Sequence, residues 1–444
     1  TWQRDTVYSS SGLEGHGAMA TELKFPNVTL QEGLGLLRIL ADGAAGVTEM
    51  AENLNNSILR TPGLEPLTRG PVRSITQLVY SSVSGAFRLT GKGLRVAAGQ
   101  LANGPDHRAV SREREVALAA LNGVLGDYLA ETHNSLALKL CVRRDGCPVA
   151  LEQQALARAF PAATGKLAIL VHGLCMSDLQ WRRHGHDHGA SLGRDFGYTP
   201  VYISYNSGLH ISANGDALAE SLERLIAAWP IEIERLVIVA HSMGGLVARS
   251  ACLAGDKAGH SWRRRLDKIV FLGTPHHGAP LEKVGNWLEA NLVTIPYASA
   301  FATLARVRSA GITDLRFGSL LPEEWEGRNR FARGPDTRTP APLPDDVNCY
   351  AIAATLGRSY SPVHDALASD GLVPVTSGLG LHVDASQTLE FRRDRQWVAR
   401  QTGHLDLLSR PNVYERIATW LEAPAANGRR VLRKGSASRV ALSR

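Results

Sequence analysis

The chain has 444 residues, 44% hydrophobic and 20% charged, the balance of a globular protein with room for one large domain and additions to it. No stretch reaches the roughly 18 uninterrupted apolar residues of a membrane span, and five scattered cysteines exclude both a disulfide framework and metal-ligand spacing. Of the net charge of +7, six positive charges lie in the acid-free tail "NGRRVLRKGSASRVALSR", so residues 424–444 read as a basic, disordered end and the charge does not point to nucleic acid.

Taken in chain order, the first thirty residues show no apolar leader core, which favours a cytoplasmic protein; secretion stays open if a leader once preceded Thr1. Residues 1–135 read as an N-terminal helical region. Leu36, Leu37, Leu40, Ala44, Val47, Ala51, Leu54 and Ile58 recur at steps of three and four, as do Ile75, Leu78, Val79, Val83 and Phe87, then Leu118, Leu121, Leu125 and Leu129. Such helices pack on a main domain. The one starting at Arg73 also carries Arg88, Lys92 and Arg95, which suggests a peripheral contact with a lipid surface.

From residue 136 to 423 the rhythm changes. "LALKLCVRRDGCPVAL" predicts a hairpin; "KLAILVHG", "PVYISYN", "RLVIVAHS", "KIVFLGTP", "CYAIAAT" and "TLEFRRDRQWVA" predict strands, with "DALAESLERLIAAW" a helix between two of them. Apolar strands alternating with helices imply a mostly parallel sheet with helices on both faces. About seventy residues without a strand pattern separate "GTPHHGAP" from "CYAIAAT", and residues 281–346 read as a cap inserted before the fifth of these strands. Its apolar side chains, Trp287, Leu288, Leu292 and Phe301, are expected to line a substrate pocket.

The chemistry concentrates at Ala240-His241-Ser242-Met243-Gly244, a serine framed by small residues between an apolar strand and a helical pattern. This is the pattern of a nucleophile elbow, where a tight turn exposes the hydroxyl and leaves the next N–H, here of Met243, facing a developing oxyanion. A serine hydroxyl needs a base and an orienting acid. Asp370, in "ASDGLVPVTSG", and His404, in "TGHLDLLSRP", follow in that order at the carboxyl ends of strands. Asp365 competes for the acid; Asp406 and His382 are weaker candidates. After "LAILVHG", the N–H of Leu174 is the candidate second oxyanion donor, with His172 read as an internal hydrogen-bonding residue.

"LVHGL", "AHSMGG", "LGTPHHGAP", "SDGLVPV" and "HLDLLSRPNVYE", in this order, resemble the esterase/lipase branch of the α/β-hydrolase superfamily, especially the lipase-like group similar to GPI inositol-deacylases and bacterial triacylglycerol lipases. The likeness covers residues 136–423 and departs from many members at Ala240, where they have glycine. It implies an α/β-hydrolase fold, Ser242, Asp370 and His404 as a triad, Leu174 and Met243 as oxyanion donors, and hydrolysis of a small-molecule or lipid acyl ester through an acyl-enzyme without a cofactor. Acyl transfer or thioester cleavage would use the same triad, and a catalytically silent binding module would share the scaffold. "HGHDHG" and "PHHG" raise a metal question, but their spacing suits no common site, and none is expected.

Overall fold

A computed structural model describes residues 112–280, 284, 309–328, 335–359 and 368–422. The helices expected before residue 112, the cap residues Trp287, Leu288, Leu292 and Phe301, the competing Asp365 and the basic tail lie outside the described residues.

Among the described residues, eight strands form one sheet in the order β2-β1-β4-β3-β5-β6-β7-β8. They are β1 (Cys141–Arg144), β2 (Cys147–Val149), β3 (Lys166–Val171), β4 (Thr199–Ser204), β5 (Arg235–His241), β6 (Leu266–Leu272), β7 (Asn348–Thr355) and β8 (Gln396–Arg400). β1 pairs antiparallel with β2 and β4, and every other pairing is parallel. Asp145 (φ 51°) and Gly146 (φ 81°) close the β1–β2 hairpin, the two successive left-handed residues that an Asp-Gly turn supplies.

Main helices are α1 (Arg112–Glu131), α2 (Gln153–Ala159), α3 (His188–Phe196), α4 (Ile211–Ala228), α5 (Met243–Ala258), α6 (Ala310–Asp314) and α7 (Pro411–Glu422). Side chains alternate between the faces of a strand, so Ala168, Leu170, Val237, Val239, Val270 and Leu272 share one face, where Leu192 of α3 and Val413, Ile417 and Trp420 of α7 cover them. Leu167, Ile169, Leu236, Ile238, Ile269 and Phe271 point to the other face and are just as buried. Cover on both sides is what makes the central strands near-continuous apolar runs rather than alternating ones. The last strand is shorter than "TLEFRRDRQWVA" suggested: Arg392 and Asp394 pair with each other, Arg393–Arg395 forms a 3-10 turn, and only Gln396–Arg400 joins the ladder.

Two features position the site. The first is α1, whose glycines let it lie against the loops at the carboxyl edge of the sheet. A Cβ on Gly123 would sit 2.1 Å from Cys175 Sγ, and one on Gly126 would sit 1.8 Å from Asn206 Oδ1. Asn206 Nδ2 donates to the Gly126 carbonyl, and buried Arg143 of β1 bonds Glu115 of α1 at 2.6 Å and Asp178 at 3.3 Å. A chain starting near residue 110 should therefore fold, whereas one starting near 133 loses α1, leaves Arg143 without Glu115, and should aggregate or unfold several degrees lower. Solubility and a thermal melt of the two chains check this.

The second feature is the described part of the cap. Ser309 Oγ donates to the Gly123 carbonyl, Ala310 N–H to Asp127 and Ser250 Oγ to the Leu320 carbonyl. Asp314 accepts from Ile211 N–H at 2.8 Å and lies 3.0 Å from His210 Nδ1, while the Trp325 ring stacks on His210 at 3.7 Å. Residues 309–328 are thus fastened to α1, α4 and α5.

Candidate active site

β5 ends in His241, and the chain then turns through Ser242 at φ 54°, ψ −127° before α5 begins at Met243. A positive φ on a residue with a Cβ costs about 1–3 kcal/mol and persists only where the surroundings enforce it. Here they do. Ser242 N–H is held by the Leu272 carbonyl of the neighbouring strand at 2.8 Å. A Cβ on Gly244 would meet the carbonyl oxygens of His172 and Val171 at 2.4 and 2.5 Å, and one on Gly245 would meet Thr274 Oγ1 at 2.0 Å. The glycine pair that follows the serine is therefore the condition for α5 to leave the strand so sharply. Ala240, the departure from glycine, is fully buried in β5.

Asp370 and His404 come together as their order along the chain anticipated. His404 Nδ1 lies 2.7 Å from Asp370 Oδ2, and the two are further tied by a backbone bond, His404 N–H to the Asp370 carbonyl, at 3.0 Å. The other carboxylate oxygen accepts from Leu372 N–H at 2.9 Å and Val373 N–H at 2.7 Å, so the "DGLVP" turn is an amide clamp on one side of the acid. Asp406 instead caps the 3-10 turn that starts at His404, accepting from Gly403 N–H, and His382 lies beside His277 with their rings 4.9 Å apart.

Sequence reasoning missed two residues that join this pair to the elbow. His241 Nε2 donates to the His404 carbonyl at 3.1 Å, with the two rings 4.7 Å apart; burial and the neighbouring His404 keep His241 neutral, far below the ordinary histidine range. Gly273 (φ 56°), in the loop after β6, is the other. A Cβ there would lie 2.7 Å from Leu407 Cδ1 and 3.3 Å from both Asp370 Oδ2 and His404 Cε1, so any side chain would wedge into the pair. The signal available was the glycine of "LGTP" placed directly after an apolar strand.

The loop after β3 approaches Ser242 from the other side. A Cβ on Gly173 would sit 3.0 Å from Ser242 Cβ, and Leu174 follows, buried. Cys175 (φ 58°) donates its N–H to Ser207 Oγ at 3.0 Å, which fixes the loop's return path against α1. His172 is the internal bonding residue expected. Its Nε2 accepts from Tyr205 N–H, its Nδ1 donates to the Gly173 carbonyl at 2.8 Å, and the Tyr205 ring stacks on it at 4.3 Å. Met243 N–H, at the first turn of α5, is one of the four helix donors without an intrahelical acceptor.

The polar groups of "HGHDHG" bond within the fold. Asp187 caps α3 through Ala190 N–H and accepts from Tyr202 OH; His186 Nε2 donates to His188 Nδ1, and His188 Nε2 to the Leu407 carbonyl. Among the described residues no group of three or more His, Cys, Asp or Glu side chains is placed to hold a metal ion. Burial pushes His172 and His188 down to about 4, so both fold as neutral rings. An unfolded histidine titrates near 6.5, so between pH 6.5 and 4 the unfolded chain binds more protons and stability falls as pH falls. Each ring contributes on the order of 3 kcal/mol above pH 6.5 that is lost by about pH 4. A thermal melt against pH should be flat with respect to these rings above 7 and drop steeply below 6.

Residues 162–339 match the PGAP1-like alpha/beta domain family. No curated protein matches the chain. Among solved structures it is similar to the mature lipase BlEst2 of Bacillus licheniformis, 18% identical over 64% of this chain and 97% of that one with a TM-score of 0.37. It is also similar to the esterase Pf2001 of Pyrococcus furiosus, 14% identical over 59% of this chain and 81% of that one with a TM-score of 0.35. A laboratory-evolved variant of potato epoxide hydrolase is 14% identical over 58% of this chain and 93% of that one, with a TM-score of 0.33.

Proposed function

We propose that this chain, an esterase/lipase-like α/β hydrolase that carries a PGAP1-like alpha/beta domain over residues 162–339, hydrolyses carboxylic esters through Ser242, His404 and Asp370. The observation that carries the reading is the 2.7 Å bond of His404 Nδ1 to Asp370, with His404 tied through its carbonyl to His241, the residue before a serine held at positive φ. With Nδ1 committed to the acid, Nε2 is the nitrogen that takes the proton of Ser242 Oγ as it attacks the acyl carbonyl. The tetrahedral oxyanion is received by the N–H groups of Met243 and Leu174, on the helix start and on the loop that Gly173 brings against the serine. Imidazolium then protonates the leaving alcohol, and water, activated by the same ring, releases the acid from the acyl-enzyme.

Substrates of this reading are small-molecule or lipid acyl esters; the apolar cap residues would set the acyl chain length. No described helix is long and apolar enough to cross a membrane. The test is a series of p-nitrophenyl esters of increasing chain length, run with and without a fluorophosphonate, followed by peptide mapping of the labelled protein. Turnover that the fluorophosphonate abolishes, with the label on the peptide containing Ser242, supports the reading. A folded protein that neither turns over any ester nor takes the label sinks it.

A further inference from the structure

Arg249 lies on α5 two turns beyond Ser242 and is only 4% exposed. Among the described residues no carboxylate pairs with it: Nη2 donates to the Ala341 carbonyl, Nη1 approaches His276 Nδ1 at 3.4 Å, and Nε has no partner. A guanidinium offers five donors and no acceptor, so His276 Nδ1 must be the accepting atom and the ring carries its hydrogen on Nε2. That Nε2–H is also buried without a partner, in a side chain with no exposure at all. Burying an unpaired cation is strongly unfavourable, and each orphaned donor adds to that cost. Two such donors beside a buried guanidinium that no carboxylate bonds directly ask for a negative partner.

Both residues line one small cavity with Arg338, His277, Glu324 and Leu320, and it has room for a water-sized occupant. Three other side chains on its wall have partners of their own. Arg338 makes paired bonds to Asp336 and donates to the carbonyls of His276 and Gly318; His277 Nε2 donates to the Gly380 carbonyl; Glu324 Oε2 accepts from Leu320 and Leu321 N–H. We infer that this cavity is a binding site for a small monovalent anion of the halide class, chloride in physiological solution, held by Arg249 Nε–H and His276 Nε2–H. Burial and the nearby Arg338 push Arg249 down only to about 10, so it stays cationic at neutral pH. Glu324 faces the same space and keeps the affinity modest. The occupant would bind α5 to the loop after β6 and to residues 338–341, behind the nucleophile.

The test compares sodium chloride with sodium gluconate at fixed ionic strength on the full chain. Chloride should raise the melting temperature in a saturable way that gluconate does not reproduce, as binding to the folded state alone requires. The chloride-35 NMR line should broaden with the wild-type protein, and Arg249→Gln should remove both effects. Glu324→Gln, which removes the like charge, should lower the midpoint of the chloride titration about threefold or more. If Arg249→Gln does not fold, the Glu324→Gln shift decides. Equal melting in the two salts, line broadening unchanged in Arg249→Gln, or no shift in Glu324→Gln overturns the site in favour of a cavity filled by water.

Discussion

Replacing Ser242 by alanine is expected to abolish fluorophosphonate labelling and to lower kcat on acyl esters by about 10⁴–10⁶-fold, leaving only what the proposed oxyanion donors would supply over water. The change removes Oγ and nothing else that the turn needs. Ser242 N–H still bonds the Leu272 carbonyl, and Gly244 and Gly245 still allow α5 to pass the ends of β3 and β6. Because alanine keeps a Cβ at φ 54°, the strain is unchanged and the melting temperature should stay within a degree or two of wild type. Label retained at a different serine, or turnover above a hundredth of wild type, would move the nucleophile elsewhere.

For Asp370→Asn the expected loss in kcat is about 10⁴-fold, and its cause is a tautomer rather than a lost fold. Asparagine keeps a carbonyl oxygen for the N–H groups of Leu372 and Val373, which places its NH₂ where Oδ2 now meets His404 Nδ1. An amide donor there makes Nδ1 an acceptor and puts the ring hydrogen on Nε2, so that the proposed base can no longer take a proton. Circular dichroism should be unchanged, and fluorophosphonate labelling should slow by a factor similar to the loss in turnover. A loss of less than tenfold would mean that the acid is another carboxylate, Asp365 being the first to examine.

The strands and the serine corner were legible because each rests on local chemistry: β-branched runs that must be buried on both faces, and glycines where a helix grazes a strand. The pairing of Asp370 with His404 was legible for a similar reason, since a turn after a strand end is where such a sheet presents a carboxylate. The contributions of His241, Gly273, Tyr205 and Ser207 were not. Each acts through a contact between segments far apart in the chain, such as His241 with His404 or Cys175 with Ser207, and no period or spacing encodes those. "PHHG" was misleading in the same way. It raises the question of a metal ligand pair, whereas His276 is fully buried, with the rings of Phe271 and Phe391 4.8 and 5.4 Å away. The intimacy of α1 with the loop after β3 was hidden because Gly123 and Gly126 look like weak points in a helix until their neighbours are known.

That intimacy turns a thiol into a reporter. Cys175 is sealed under Gly123, and burial pushes it up to about 12, so an alkylating reagent at neutral pH should leave it untouched while it modifies exposed Cys147. The Sγ atom becomes reachable only when α1 lifts from the body. Its alkylation rate should therefore count the openings of that helix, and since the same loop carries the Leu174 N–H, it should also count the moments when the proposed oxyanion donor is out of place.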